Sequence, residues 1–215
     1  MTHDCIAELG PDCEVQPGAL VGLRYKPDAG PAIIGARARI RTGAIIYGDV
    51  RIGDDFQTGH QVLLRENTTV GRHVLLGTQS VIDGQVEIGD FVKIETHVYI
   101  PTHVKIGSFV FIGPGVTITN DRYPLKLRDA YRPEGATLED GVTIGGGVTL
   151  TPGVVIGRDA FVAAGAIVTR DVPPDSLAIG APAEIRPLPD HLKERNMAKA
   201  WARVLAAETK GGAAG

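Results

Sequence analysis

Aromatic residues make up only 5% of this 215-residue chain; it has two cysteines, no long apolar run and a formal net charge of only −3. Each scarcity excludes something. With so few aromatics, the core must be built from small and β-branched aliphatics. Cys5 and Cys13 make neither a disulfide framework nor a zinc motif. No stretch approaches the roughly 18 consecutive apolar residues that a membrane span needs, so no membrane association is expected. The near-balanced charge and a pI near 6.1 give no basis for binding nucleic acid or an anionic surface. The first residues lack the basic-then-apolar order of a secretory signal, and a reducing cytoplasm is the expected setting. In contrast, the 28 glycines and 14 prolines are abundant, so the chain must turn very often. The length suits one domain with a small appendage.

A repeat decides the fold class. Stepping in sixes from Ile34 gives Ile40, Ile46, Ile52, Thr58, Leu64, Val70, Leu76, Ile82, Ile88, Ile94, Ile100, Ile106, Ile112 and Ile118. All but Thr58 are Ile, Leu or Val, which form roughly a quarter of the chain as a whole. Four residues after each lies a second apolar or small series, from Ala38 and Ala44 through Ser80 and Val98 to Val116. A glycine often follows the lead aliphatic, as at Gly35, Gly53, Gly71, Gly89 and Gly107. Neither the 3.6-residue helical period nor the two-residue strand period yields a period of six. A triangular coil does: each hexapeptide supplies one short strand and one corner, and three close a turn. Stacked turns pair as parallel strands about 4.8 Å apart, each coil burying its aliphatics against its neighbours.

The ladder resumes at Leu138, Ile144, Leu150, Ile156, Val162 and Val168. Three whole hexapeptides beyond Ile118 would reach Ala136, yet the first lead aliphatic is Leu138, two places later. A segment near 119–137 therefore leaves the coil as an excursion. Partial repeats at Val15 and Val21 and a further excursion from Arg24 to Pro31 bring the total to about seven or eight coils, an all-β domain over residues 1–187. Residues 188–215 read as an amphipathic α-helix and a disordered tail. Leu192, Met197, Ala200, Trp201, Val204 and Leu205 recur at helical spacing, with Asp190 as the expected N-cap and Gly211–Gly215 as the tail.

This pattern resembles the hexapeptide-repeat signature of the left-handed parallel β-helix acyltransferases, and the left hand is taken from that resemblance. It implies a homotrimer with acetyl-CoA held outside the solid coil, in a groove between adjacent subunits. The run Val162-Ala-Ala-Gly-Ala-Ile-Val-Thr-Arg-Asp-Val-Pro-Pro174, followed by Ile179-Gly-Ala-Pro-Ala-Glu-Ile-Arg186, is similar to the family's CoA-binding stretch. Small residues such as Ala163 and Gly165 let a pantetheine arm approach the backbone amides. Arg170 stands where the family carries a cation near the CoA phosphates, and Ala181 and Arg186 flank the adenine end. Read without the resemblance, the same residues are coil corners and solvated charges.

The string Thr119-Asn-Asp-Arg-Tyr-Pro124 resembles the loop of N-acetyltransferases acting on nucleotide-diphosphate 3-amino sugars. Arg122, Lys126, Arg128 and Arg132 suit a diphosphate, Tyr123 or Tyr131 a base or sugar, and Asn120 and Asp121 the sugar hydroxyls or the amine. Relatives that O-acetylate maltose or galactosides usually carry a histidine in that loop, and none is present here. For the proton the attacking amine must lose, histidine is the natural acceptor. His97 and His103 hold equal places in consecutive hexapeptides near the excursion, and His97 is the preferred base, with Glu95 or Asp121 orienting it and Glu95 and His103 among the substrate contacts. The CoA thiolate is the alternative acceptor.

The expected activity is thus acetyl transfer from acetyl-CoA to a nucleotide-linked amino sugar, with O-acetylation of a sugar or small alcohol as the alternative. Gamma-class carbonic anhydrases share the fold, and His60, His97 and His103 superficially echo their zinc ligands. A six-residue gap puts His97 and His103 on different sides of the triangle, poor for one tetrahedral ion, so no metal is expected. A non-catalytic scaffold leaves both the excursion and the CoA-like run unexplained.

Overall fold

The computed structural model describes residues 4–127, 129, 132–193 and 198–200. The chain winds into a three-sided, left-handed parallel β-helix. Its first face stacks eight strands from Ala7–Leu9 to Val155–Ile156. The second starts at Glu14–Val15 and stacks ten, and the third stacks eight from Leu20–Leu23 to Ile167–Val168. Among the described residues the coils number eight, at the upper end of the expectation. The second face ends in an antiparallel strand pair, Ser176–Ile179 with Glu184–Pro187.

Most strands are two residues long because the lead aliphatic is the inward residue and its predecessor points outward. Every lead residue from Ile34 to Val168 is buried, as is the whole series four residues later. Wherever the hexapeptides run unbroken, each lead pairs with the third lead after it, as in Ile82↔Ile100. The two excursions change that register. Val21 pairs with Ile46, where unbroken winding would have offered it Arg39, so a segment near 24–31 is inserted. Ile106 pairs with Leu138, where unbroken winding would have offered Pro124. The residue spacing alone suggested a slip of two places after three further hexapeptides. Leu138 in fact occupies the hexapeptide directly after Ile118, and the rest of the gap leaves the prism. Its neck is closed by Glu134 N donating to Asn120 O at 2.9 Å.

The corners have a rule the hexapeptide pattern did not reveal. The third residue after nearly every lead adopts positive φ whether or not it is glycine, as at Asp55, His73, Phe91, His97 and His103. That conformation aims its N–H along the stack, to the carbonyl of the coil above: Phe91 N to Arg72 O at 2.9 Å, His97 N to Thr78 O at 3.0 Å. Each such hydrogen bond helps offset the roughly 1–3 kcal/mol cost of a non-glycine residue there. The glycines one residue after the lead answer a different need, close approach. A Cβ on Gly71 would press on Asp90 Oδ1 and lie 2.7 Å from the backbone of Gly89. Gly71→Ala is therefore expected to lower stability by about 1–3 kcal/mol, read from the denaturant midpoint.

The C-terminal helix is only partly within the described residues. Asp190–Leu192 form a 3-10 turn in which Asp190 makes no side-chain cap and instead pairs with Lys193 Nζ at 2.7 Å. Residues 198–200 are helical, and Lys199 Nζ meets Asp159 Oδ1 at 2.5 Å, against the chain's own coil. Met197, Trp201, Val204, Leu205 and the Gly211–Gly215 tail lie outside the described residues. No helix among those described is long and apolar enough to cross a membrane.

Candidate functional site

The corner joining the second and third faces carries the first group of candidate residues. Its positive-φ column reads, from above, Gly18, Gly43, Gln61, Gln79, His97, Gly115, Gly147 and Gly165. Below His97 the side chains stop. A Cβ on Gly115, Gly147 or Gly165 would meet no atom within 4 Å, so each faces open space. The neighbouring positions on those three coils are Gly113-Pro114, Gly145-Gly146 and Ala163-Ala164. The result is a trough of small residues running three coil steps, about 14 Å at 4.8 Å each, with His97 at its head.

The trough is smooth yet polar. Among the described residues, the carbonyls of Gly115, Gly147 and Gly165 accept no hydrogen bond, and the N–H groups of Gly146 and Ala164 donate none. An exposed edge with free backbone donors and acceptors is suited to an extended chain bearing amides. At its foot, Gly180 O and Ile167 O accept from Ile167 N and Ala183 N at 3.0 and 2.8 Å respectively. This seats the Ile179–Ala183 turn, with its cis Ala181-Pro182 bond, beneath the third face. There Thr169, Arg170, the turn and Arg186 line a groove of about 530 Å³. Arg170, Ala181 and Arg186 thus share one pocket, one coil step beyond Ala163 and Gly165. Arg186 is paired with Glu184 at 2.8 Å, which holds that carboxyl below its ordinary range.

His97 is exposed, and its ring has no hydrogen-bond partner among the described residues. Neither carboxylate expected to orient it does so. Glu95 pairs with Lys93 Nζ at 2.7 Å, and Asp121 Oδ1 accepts the N–H of Tyr123 at 2.9 Å.

The remaining candidates stand at another corner, joining the third face to the first. His103 occupies that column, and the 119–137 excursion departs one coil below it. Asn120 Nδ2 donates to Thr102 Oγ1 at 3.0 Å, and Arg122 reaches Pro152 O at 2.8 Å and Glu134 at 3.4 Å. Arg128 and Tyr131 lie outside the described residues. Within one chain, then, His97, Glu95 and the trough form one group, and His103, Asn120, Asp121, Arg122 and Tyr123 another. His60 stands at the His97 corner, apart from His103; no group of three or more potential metal ligands gathers among the described residues.

Two apolar surfaces escaped the sequence reading. Tyr123, Leu125 and Leu127 on the excursion are 55%, 78% and 53% exposed. The outward strand positions of the third face include Ile45, Leu63, Val81, Tyr99 and Ile167. The six-residue rhythm marks the buried positions only, so these outward columns, which recur at every third hexapeptide, do not show in it.

Comparison with known proteins fits this architecture. The family model described as "Bacterial transferase hexapeptide (six repeats)" matches residues 85–120 and 135–170, skipping the excursion, and "Hexapeptide repeat of succinyl-transferase" matches 67–101. A hexapeptide-repeat-containing acetyltransferase of Vibrio cholerae, solved in complex with acetyl coenzyme A, is 32% identical. The match covers 58% of this chain and 72% of that one, with a TM-score of 0.52. A maltose O-acetyltransferase from Clostridium difficile is 28% identical over 55% of this chain and 68% of its own, also at 0.52. The bifunctional protein GlmU of Geotalea uraniireducens is 30% identical across 80% of this chain and 34% of its own. The chain spans about a third of the length of the curated relatives it matches.

Proposed function

Because this chain belongs to the hexapeptide-repeat transferases, we propose that it moves an acetyl group from acetyl-CoA to the amine of a nucleotide-linked amino sugar. The observation that carries this reading is the open trough below His97, ending in the arginine-lined groove. Its small-residue walls suit a pantetheine arm, its free backbone groups the arm's two amides, and Arg170 and Arg186 the phosphates. The Vibrio cholerae relative was solved with acetyl-CoA, which supports the same co-substrate here.

The two groups of candidate residues meet when the excursion of one copy reaches the trough of the next, which makes the enzyme a homotrimer with three equivalent sites. Exposed Leu125 and Leu127 favour this: covering either side chain is worth about 1.5–3 kcal/mol. Asn120 and Asp121 position the acceptor, and Arg122 and Tyr123 hold its nucleotide side. The amine nitrogen attacks the thioester carbonyl carbon, backbone N–H groups support the developing oxyanion, and the C–S bond breaks to release the thiolate. The ammonium proton passes to His97 and on to the sulfur, or to the sulfur directly. The reaction takes place in the cytoplasm, where acetyl-CoA is supplied.

Likeness to the maltose O-acetyltransferase favours a second reading, transfer to a sugar hydroxyl. The excursion without histidine weighs for the amine. Screening nucleotide-linked amino sugars beside their hydroxyl counterparts for thiol release from acetyl-CoA separates the two; turnover with the hydroxyl compounds alone rejects the amine. Arg170→Glu is expected to raise the KM for acetyl-CoA about tenfold while kcat stays within about twofold.

A further inference from the structure

The corner that holds His97 differs from its neighbours on the inside. Along this edge, turns that end in a small residue close on themselves. The N–H of Ala44, Ser80 and Ala166 donates to the carbonyl three residues back, each at 3.2 Å. In the Glu95–Val98 turn, a side chain from the coil above occupies that place. Ser80 Oγ donates to Glu95 O at 2.9 Å and accepts the N–H of Val98 at 3.2 Å. Ser80 is fully buried, in a column otherwise filled by Ala44, Val62, Val98, Val116, Val148 and Ala166.

A buried hydroxyl in an apolar column costs free energy unless it is satisfied, and this one is satisfied in both directions by the two ends of a single turn. Thr96 and His97 lie between those ends. The imidazole itself has no hydrogen-bond partner among the described residues, so the set of its backbone, one coil above Gly115, is what fixes where the side chain leaves the prism. We infer that Ser80 is a positioning residue for His97, its hydroxyl fixing the turn that projects the imidazole over the head of the trough. This rests on the reading of His97 as the proton acceptor.

Threonine and valine offer a matched test, because they share a shape and differ by the hydroxyl, and valine already fills this column at Val62 and Val98. Ser80→Val is expected to lower kcat about tenfold with the acetyl-CoA KM within about twofold; Ser80→Thr should keep kcat within about twofold of the parent. In a His97→Ala background, the Ser80→Val change should add less than about twofold, since the positioned group is gone. Equal losses for Ser80→Val with and without His97 would overturn the inference and assign the hydroxyl to packing alone, as would Ser80→Val and Ser80→Thr behaving alike. A fully active His97→Ala enzyme would instead reject the parent reading, and this one with it, a result distinguishable from either of those. Thermal melts of both variants show whether they fold.

Discussion

Gly147→Phe is expected to abolish acetyl-CoA binding while leaving the coil folded. Gly147 has φ +66°, and phenylalanine is at home in that conformation in this molecule, at Phe91 with φ +56° and Phe109 with φ +62°. A Cβ at Gly147 meets nothing within 4 Å, so the cost to folding is confined to backbone strain of about 1–3 kcal/mol. The ring then fills the trough midway between Gly115 and Gly165. An arm that must lie along those carbonyls has no way past it. A rise of at least a hundredfold in Kd, about 2.8 kcal/mol, is the expected calorimetric result, with a cooperative melt retained. A folded variant that binds acetyl-CoA with unchanged affinity would remove the trough from the account.

His97→Ala should lower kcat by about 10²–10⁴-fold, the range a positioned general base supplies, with the KM for acetyl-CoA little changed. The split matters because His97 stands at the head of the trough and not along its walls, so its loss should be felt in the chemical step. His103→Ala makes the contrast: as a substrate contact it should raise the acceptor KM and leave kcat within about tenfold. It occupies the same place in the next hexapeptide, but at another corner, and its own chain gives it no trough. A loss below about tenfold for His97→Ala would assign the proton to the CoA sulfur and leave no protein base.

The prism was legible because its core needs only one kind of information, an aliphatic every sixth residue, and the chain states it at Ile34 and at nearly every step to Val168. Of the CoA-like run, Arg170, Ala181 and Arg186 come together because the hairpin after Ser176 turns back beneath the third face, whereas Ala163 and Gly165 lie at the preceding corner. What stayed hidden depends on which corner a residue occupies. Gly115, Gly147 and Gly165 are unevenly spaced in the chain and pass for ordinary turn glycines until the insertion between Ile118 and Leu138 is placed. Only then do they fall into one column under His97. The same winding separates His97 from Asn120 and Asp121, which sequence proximity had joined. Ser80 was legible as a member of the inner series, yet nothing in that series announces that its hydroxyl enters the turn of the next coil. Within one chain Glu95 and Asp121 have other partners than His97, Lys93 Nζ and the Tyr123 amide, and a linear reading of the loop gives no sign of either.

Native mass spectrometry in the presence of acetyl-CoA tests the central claim most directly, because it weighs the assembly and its bound thioester together. If an edge of each prism and the excursion of a sister chain make one site, the spectrum should show a three-chain particle carrying up to three acetyl-CoA molecules. A single chain that holds acetyl-CoA alone, or a trimer that holds none, would contradict it.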